Sequence, residues 1–580
     1  MRFALLALVL ASTPVAAAPV DDFRKLQDDY WAWVLKENPV QATTLGVPAP
    51  ETLGELSLAA EDRRAGERRG FLQRLDAIPE AALPAGERVN RRILRRQIAE
   101  DIEANGFGQR AMLFTTYYGW HQGFAGLGEG LPFRRGADYR SYLRRLADYP
   151  RYNDEALAVS DVALGGGYVL PCAVLGNVER SITGVIGADP TQTRLYEPFT
   201  RARPADVDAA DWTAMQGQAR ALIDGPIRAA YARHATWYRT RYQPKCAQAV
   251  GVSAQPGGDR FYAFRVRQMT TTDMTPDAIH RLGLSEVARI RAEMEAVARR
   301  AGFPSREAMI ADLRTNPAYY AKTGEELMRA AAREAKRIDG LMPTLFGRLP
   351  RLPYGLREIP AETAEGTTTA YYSPGSPESG ISGTYYVNTS KLDGRPLYEL
   401  PALTAHEAVP GHHHQIALQQ ELELPQWRKH GASFTAFTEG WGLYAERLGI
   451  EMGLYDTPAE DMGRLSYEMW RACRLVVDTG LHSKGWSKDQ AIRFMTENSA
   501  LSAANIEAEV NRYISWPGQA LAYKVGELKI RELRARAERE LGPKFDLKRF
   551  HDAVLGQGAV PLDVLEAQMG EWIVAEKGRG

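Results

Sequence analysis

Apolar residues recur at helical spacing along most of this chain of 580 residues. In such segments one face is apolar and the other is charged, as in helices that pack against a core. Thr275 precedes one of these segments as a typical helix cap, and Pro276 occupies its first turn. The clearest segments are 22–36, 87–103, 276–301, 325–342 and 524–541. We therefore expect a mainly α fold.

Two segments interrupt the helical pattern. The stretch 366–390 reads GTTTAYYSPGSPESGISGTYYVNTS, and its Thr, Tyr, Val and Gly residues favour strands and turns. We expect a small β-sheet there. The Gly/Pro segment Gly251–Gly258 lies where we expect a boundary between two lobes of one unit. The chain then divides into an N-terminal helical lobe, 18–265, and a second lobe, 266–580.

The N-terminus predicts export. Arg2 precedes an apolar run from Phe3 to Leu10, and small residues follow from Val15 to Ala18. This order is typical of a secretory signal peptide, here residues 1–17, with cleavage after Ala17 and a periplasmic destination. The alternatives are a membrane anchor and a buried helix, but the apolar run is too short to span a bilayer. No Cys follows the small residues, so we expect no lipid attachment there, and no later segment predicts a membrane span.

Charge and cysteine content exclude two classes of protein. The chain has 72 Lys and Arg against 72 Asp and Glu. A nucleic-acid-binding protein normally needs a basic excess or a basic stripe, so we expect no nucleic-acid partner. Cys172, Cys246 and Cys473 are scattered and form no CxxC motif, which excludes a disulfide scaffold and a cysteine zinc site. One disulfide is compatible with the sequence, and its pair stays open.

The sequence TAHEAVPGHHHQ is the densest group of metal-ligand residues in the chain. It contains His406, Glu407, His412, His413 and His414. Neutral imidazoles bind zinc, and an adjacent carboxylate can take a proton from water, so the group predicts a hydrolytic metal site. The alternative is a solvated or ordinarily hydrogen-bonded histidine patch.

The spacing differs from HExxH, and it leaves the second ligand open. In an ideal helix His412 is about 240° round from His406, whereas His413 is near the same face but about 10 Å along the axis. Pro410 and Gly411 can break the helix and bring a later histidine back. We expect His412 as the second ligand, with His413 as the alternative.

A third ligand is expected from the downstream segment FTAFTEGWGLYAERLG. Glu439 and Glu446 are two turns apart on about one helix face. We favour Glu439, because Gly440 beside it allows close approach of another chain segment. Glu446 then supports a ligand, is an alternative ligand, or is a surface residue paired with Arg447.

These residues resemble the bacterial domain-of-unknown-function family 885, and the resemblance covers nearly the whole chain from about Asp22. The matching segments are 406–413, 438–446, 474–486, 512–523, 550–552 and 558–562. The family is regarded as zincin-like and similar to gluzincin peptidases. The resemblance therefore implies a large helical fold with a deep cleft, and hydrolysis of short peptides. It implies that His406, His412 and Glu439 hold one Zn²⁺ per chain, with Glu407 as general base.

The same resemblance suggests further roles around the metal. A strand at Tyr385–Asn388, upstream of the metal helix, corresponds to the edge strand that aligns substrate in zincins; an ordinary core strand is the alternative. The expected substrate-binding residues are Tyr386, Asn388, Arg512 and Tyr513. The expected oxyanion donors are Tyr523 first, then His482, with Arg512 and Tyr513 also open. Asp478 or Glu446 is expected to orient a ligand histidine.

Three functions compete at this point. The first is an exported zinc peptidase with short peptides as its partners. The second is a zinc amidohydrolase acting on a non-peptide amide, and the third is a non-catalytic periplasmic peptide-binding protein. Glu407 favours an enzyme, because binding alone needs no general base. The choice between exo- and endo-action and the oligomeric state stay open.

Overall fold

The computed structural model describes residues 17–116, 118–359, 364, 368–377 and 380–579. The predicted signal peptide therefore lies outside the described residues, except for Ala17. The protein is 70% helical and contains a small three-stranded mixed sheet. The prediction of a mainly α fold with a small sheet is confirmed.

The helices in the first half of the chain are joined by short loops and 3₁₀ turns. Their bounds are Ala17–Glu37, Pro39–Thr44, Leu58–Asp76, Ala85–Ala104, Trp120–Ala125, Gly136–Gly165, Val178–Thr183, Ala209–Leu222, Arg228–Trp237, Gly258–Thr270 and Pro276–Arg300. Three of the predicted helical segments are in this set. Thr275 caps its helix as expected, because its side chain accepts a hydrogen bond from the backbone N–H of Ala278.

The second half supplies the remaining helices. Their bounds are Arg306–Thr315, Gly324–Leu345, Leu400–Glu407, His412–Glu421, Gln426–His430, Thr435–Leu448, Pro458–Ser483, Lys488–Asn498, Ala503–Ser515, Ala522–Leu541, Leu547–Leu555 and Leu562–Gly578. The long helix Pro458–Ser483 is apolar or buried almost throughout and packs against Pro276–Arg300. It also contacts the metal-motif helix Leu400–Glu407, so it forms the wall behind the candidate site.

The sheet lies just before the His-Glu motif. Its strands are Tyr354–Glu358 (β1), Ala370–Ser373 (β2) and Gly383–Val387 (β3), in the order β1-β3-β2. β3 is parallel to β1 and antiparallel to β2. The prediction that Tyr385–Asn388 forms an edge strand is therefore wrong. β3 is the central strand, and its backbone is hydrogen-bonded to a neighbour on each side.

The buried apolar residues form two large clusters. One includes Leu146, Tyr385 and Val477, and the other includes Ile98 and Trp441. Each cluster draws residues from both predicted lobes. The helix Gly258–Thr270 also crosses the predicted boundary between residues 265 and 266. The division 18–265 and 266–580 stays a prediction.

The structure pairs Cys172 with Cys246 in a disulfide, and it leaves Cys473 as a buried free thiol. The sequence allowed one bridge without indicating the pair. No helix in the described part of the chain is both long enough and apolar enough to cross a membrane.

Candidate metal centre

The His-Glu motif lies at a break between two helices. The helix Leu400–Glu407 ends, and the next helix begins at His412. The N–H of Gly411 donates to the carbonyl of Ala405 at 2.9 Å, which turns the chain back toward His406. A Cβ on Gly411 would lie 1.9 Å from the carbonyl oxygen of His406, so no other residue fits this turn.

The break brings His406, His412 and Glu439 together. One ligand atom from each residue lies within 4.8 Å of the others, and the three form a group that could hold a metal ion. Nε2 of His406 is 3.5 Å from Oε2 of Glu439, and Nε2 of His412 is 3.4 Å from the same oxygen. Ligand atoms about 2.0–2.1 Å from a tetrahedral zinc are about 3.3 Å apart. The observed separations therefore fit a zinc site.

Burial and charge at this group also favour a cation. Oε2 of Glu439 is buried and has no hydrogen-bond partner in the described part of the chain. Burial opposes charge on Glu439, but His412 and His406 hold the pKa of its carboxyl well below the usual range. Burial by itself would lower the pKa of His406. The nearby carboxylates of Glu439, Glu446 and Glu407 have the larger combined effect and raise that pKa to about 9. This excess of carboxylates over cations is suited to a bound metal ion.

Two charged residues, Glu446 and Arg471, support His406 through its Nδ1 atom. Nδ1 of His406 is 2.7 Å from Oε1 of Glu446, and Nη2 of Arg471 is 2.9 Å from the same oxygen. Glu446 is buried, so the alternative of a surface residue paired with Arg447 does not hold. The pairing directs Nε2 of His406 toward Glu439. Arg471 was missed in the sequence, because it lies on a separate helix and outside any local motif.

Two glycines let the helix Thr435–Leu448 approach the site. A Cβ on Gly440 would lie 2.5 Å from the backbone of Gly526, so two helices cross here in backbone contact. The expectation of close approach beside Glu439 is borne out. A Cβ on Gly442 would lie 2.8 Å from the ring of His406, so this position must be glycine for the ring to lie over the helix. Gly442 was not singled out from the sequence.

His413 points away from the group. Its Nδ1 is 2.9 Å from the hydroxyl of Tyr372, and its Nε2 is 3.0 Å from the carbonyl of Leu352. Burial lowers the pKa of His413 to about 4. Of the two histidines proposed as second ligand, the structure places His412 in the group with His406 and Glu439.

Comparison with known families agrees with the motifs. A family model described as "Bacterial protein of unknown function (DUF885)" matches residues 39–569. The chain belongs to the DUF885 family. No curated protein matches it.

Two solved structures resemble this DUF885 protein over nearly its whole length. A "putative lipoprotein" from Colwellia psychrerythraea is 26% identical with a TM-score of 0.86, covering 96% of this chain and 99% of that one. A "putative lipoprotein of unknown function" from Shewanella oneidensis is 18% identical with a TM-score of 0.70, covering 94% and 99%. The second likeness concerns the fold alone.

Asp478 lies apart from the ligand histidines. Its Oδ1 accepts a hydrogen bond from the hydroxyl of Tyr262 at 2.6 Å and another from the N–H of Gly518 at 3.2 Å. Burial raises the pKa of Asp478 to about 7. These contacts connect the segments of the DUF885 fold that contain Tyr262, Asp478 and Gly518. Neither contact involves a ligand histidine, so the role of Asp478 in orienting a ligand stays a prediction.

His482 is also engaged elsewhere. Its Nδ1 accepts from the N–H of Val252 at 3.0 Å, and its Nε2 lies 2.9 Å from the carbonyl of Tyr513. Both ring nitrogens are thus used on backbone groups, and burial lowers the pKa to about 4. This leaves His482 without a free N–H for substrate, so its catalytic role stays a prediction without support in these contacts.

Tyr523, Arg512 and Tyr513, three of the residues considered as oxyanion donors, form one cluster. Nη2 of Arg512 donates to the hydroxyl of Tyr523 at 3.1 Å and to Oε1 of Gln519 at 2.7 Å. Tyr513 is fully buried, and its hydroxyl accepts from Nε of Arg474 at 3.0 Å. Because the Tyr523 hydroxyl accepts from Arg512, its own proton is free to be donated.

The predicted substrate residues Tyr386, on β3, and Asn388, just after it, have local contacts. Tyr386 is half-buried and stacks on Tyr371, with ring centroids 4.8 Å apart. Asn388 is fully buried; its amide donates to the carbonyl of Ala364 at 2.7 Å, and its Oδ1 accepts from the N–H of Ser390 at 3.0 Å. Asn388 therefore orders the loop around β3, and the substrate-binding role of both residues stays a prediction.

Proposed function

We propose that this DUF885 protein is an exported zinc-dependent peptidase that hydrolyses short peptides. The observation that carries the proposal is the convergence of His406, His412 and Glu439 on one point, with the buried Glu407 next to a ligand in the same helix. Three nitrogen and oxygen ligands leave a zinc ion one open position, which is the arrangement of catalytic zinc sites and not of structural ones.

Each protein group then has a definite task. A bound Zn²⁺ would lower the pKa of water and polarise a carbonyl. Glu407 takes a proton from the attacking water and delivers it to the leaving amine. Glu446 and Arg471 keep the ring of His406 in position. The hydroxyl of Tyr523 donates a hydrogen bond to the oxygen that becomes negative in the transition state.

The peptide needs a backbone to pair with, and β2 is better suited to this than β3. β2 packs against the helix Leu400–Glu407, and β3 covers only one of its edges. In the described part of the chain its other edge pairs with no strand. An extended peptide can add to such an edge through main-chain hydrogen bonds. We assign the substrate-aligning role to Ala370–Ser373.

Export is supported by independent features. The predicted signal peptide, the disulfide between Cys172 and Cys246, and the description of the relative from Colwellia psychrerythraea as a lipoprotein all fit a protein that leaves the cytoplasm. Because this chain has a His-Glu metal group and no cysteine ligands, its candidate centre is compatible with an oxidising compartment.

The test is a digest of short synthetic peptides of mixed sequence by the zinc-loaded protein and its Glu407→Gln variant. We expect the wild type to cleave and the variant to be slower by about 100-fold or more, while both bind one zinc per chain. Glu451→Gln, a change in an exposed ion pair with Arg534, is the matched control and keeps wild-type activity.

Equal cleavage by the wild type and Glu407→Gln would overturn the mechanism. Absence of cleavage with zinc bound would point to the non-catalytic binding protein. Hydrolysis of simple non-peptide amides without peptide cleavage would point to an amidohydrolase.

A further inference from the structure

A pair of arginines packs around Tyr523, the proposed oxyanion donor, and is not among the metal-binding group. Arg474 is on the helix Pro458–Ser483 and Arg512 is on the helix Ala503–Ser515. Both contact Tyr523: the guanidinium carbon of Arg474 is 4.2 Å from the ring centroid, and Arg512 donates to the hydroxyl. We refer to Arg474 and Arg512 as the arginine pair.

Arg474 is buried with part of its hydrogen-bonding capacity unused. Its side chain is 2% exposed and lies between the rings of Trp470 and Tyr523, with the first centroid at 4.5 Å. Its Nη2 donates to Glu509 at 2.9 Å and its Nε to Tyr513. Its Nη1 is buried and has no hydrogen-bond partner in the described part of the chain. A buried charged donor without a partner is unfavourable, and an anionic ligand would satisfy it.

The arginine pair also carries unbalanced charge. Among the residues that the structure describes, Glu509 is the one carboxylate that forms an ion pair with Arg474, and it lies 3.6 Å from Nη1 of Arg512. The two guanidinium groups therefore share a single negative partner, which leaves one positive charge. In the described part of the chain, the hydrogen bonds that Arg512 donates come from Nη2, while its Nη1 forms the ion pair with Glu509 without a hydrogen bond and can still donate one to a ligand.

The arginine pair is within peptide reach of the metal group. Tyr523 precedes Gly526 by one helical turn, and Gly526 is in backbone contact with Gly440, the neighbour of Glu439. The Cα atoms of Tyr523 and Glu439 are thus about 14 Å apart at most. An extended peptide spans about 3.5 Å per residue, so a separation of this size corresponds to about four residues or fewer.

Aromatic side chains pack against Arg512, one member of the arginine pair. Trp516 packs against Arg512, with the guanidinium carbon 5.9 Å from its ring centroid. Tyr118 packs edge-on against Trp516 at 5.8 Å, and Thr116 hydrogen-bonds Ser515 at 2.7 Å. Tyr118 and Thr116 come from a distant part of the sequence, and we expect this wall of packed side chains to stop a peptide from continuing past Arg512.

We propose that the arginine pair binds the C-terminal carboxylate of the substrate, so that the enzyme removes residues from the C-terminal end of peptides. The proposal rests on the proposed peptidase function. Two guanidinium groups match the planar carboxylate in geometry and charge. The closed wall then sets the number of residues between the carboxylate and the bond that is cleaved.

The test compares matched N-acetylated peptide pools that end in a free carboxylate or in an amide. For the zinc-loaded wild type we expect kcat/KM to be about 10- to 100-fold higher on the acids, because the amides lose charge-assisted hydrogen bonds. Arg512→Gln should remove this preference by slowing cleavage of the acids alone, mainly through KM. Arg512→Lys should keep part of the preference, because it keeps the charge.

Arg536→Gln, a change in an exposed ion pair with Glu540, is the matched control and should keep the full preference. The proposal is overturned if the wild type cleaves both pools equally, or if Arg512→Gln slows both by the same factor while its Tm is unchanged.

Equilibrium dialysis separates this proposal from the peptidase proposal. The zinc-loaded wild type and Glu407→Gln are dialysed against both pools, and bound peptide is quantified by mass spectrometry. Tighter binding of the acids supports the carboxylate site even if no peptide is cleaved. Absence of cleavage alone would overturn only the proposed peptidase activity. Equal binding of acids and amides overturns the carboxylate site whatever the activity.

Discussion

Nδ1 of His406 and Oε1 of Glu446 lie 2.7 Å apart, although the two residues belong to different helices. The contact holds the imidazole so that Nε2 faces Glu439, and Arg471 pairs with the same carboxylate oxygen of Glu446. A ligand histidine held in this way binds a metal more tightly, because its orientation and basicity are set before the metal arrives.

Loss of the Glu446 carboxylate should therefore weaken metal binding without removing a ligand. We expect Glu446→Ala to lower zinc affinity by about 10- to 100-fold, measured by competition with a chromophoric chelator. Glu451→Ala removes a carboxylate from the loop after the same helix and should leave affinity unchanged. Unchanged affinity in Glu446→Ala would show that the contact does not support the metal.

The two candidate second ligands can be separated by metal content. His412→Ala removes a group whose Nε2 faces Glu439, so we expect zinc stoichiometry to fall below one per chain after dialysis. His413→Ala removes contacts to Tyr372 and Leu352 only, so it should retain one zinc. Metal analysis of both purified variants decides the matter, and the reverse pattern would make His413 the ligand.

A methyl group at Gly442 should displace His406. The added Cβ would lie 2.8 Å from the ring, closer than real contacts allow, so the ring must move. We expect Gly442→Ala to lower zinc affinity by about 10-fold or more. Gly340→Ala, at a helical glycine with open space around it, is the control and should be neutral or slightly stabilising. Wild-type affinity in Gly442→Ala would contradict the observed packing.

His482 should make the protein less stable in acid. Its pKa falls to about 4 in the folded state, because burial disfavours the charged ring. The unfolded chain takes up a proton near pH 6.5 and the folded chain does not, so stability is lost as the pH falls from 6.5 toward 4. At pH 5 this amounts to about 2 kcal/mol.

The measurement is the Tm at pH 7 and at pH 5, in the presence of a chelator so that metal release does not contribute. The difference in Tm between the two pH values should be smaller in His482→Gln than in the wild type, because glutamine does not titrate. The same difference in both proteins would mean that His482 is protonated in the folded state.

The helices and the ligand motif were predictable because they depend on local patterns. Apolar spacing predicted the helices that begin at Ala85, Pro276 and Ala522 to within a few residues. Pro410 and Gly411 signalled the break that brings His412 back to His406. These signals can be read from the sequence alone, because backbone dihedrals and helical faces are decided within a few residues.

Other features depend on which segments meet, and no local pattern encodes that. The partnership of Glu446 with Arg471, the pairing of Cys172 with Cys246 and the central position of β3 each join distant parts of the chain. The contacts of both His482 ring nitrogens with backbone groups likewise join distant parts of the chain.

The chain's own order of residues thus decided that the protein is helical and which His and Glu residues are available to a metal. Tertiary packing decided which of them converge, because Gly442 lets the ring of His406 lie over the helix that carries Glu439. It also placed the arginine pair next to Tyr523 and left Nη1 of Arg474 without a hydrogen-bond partner among the described residues. Burial created that unmet charge, and burial is a property of the folded molecule rather than of any segment.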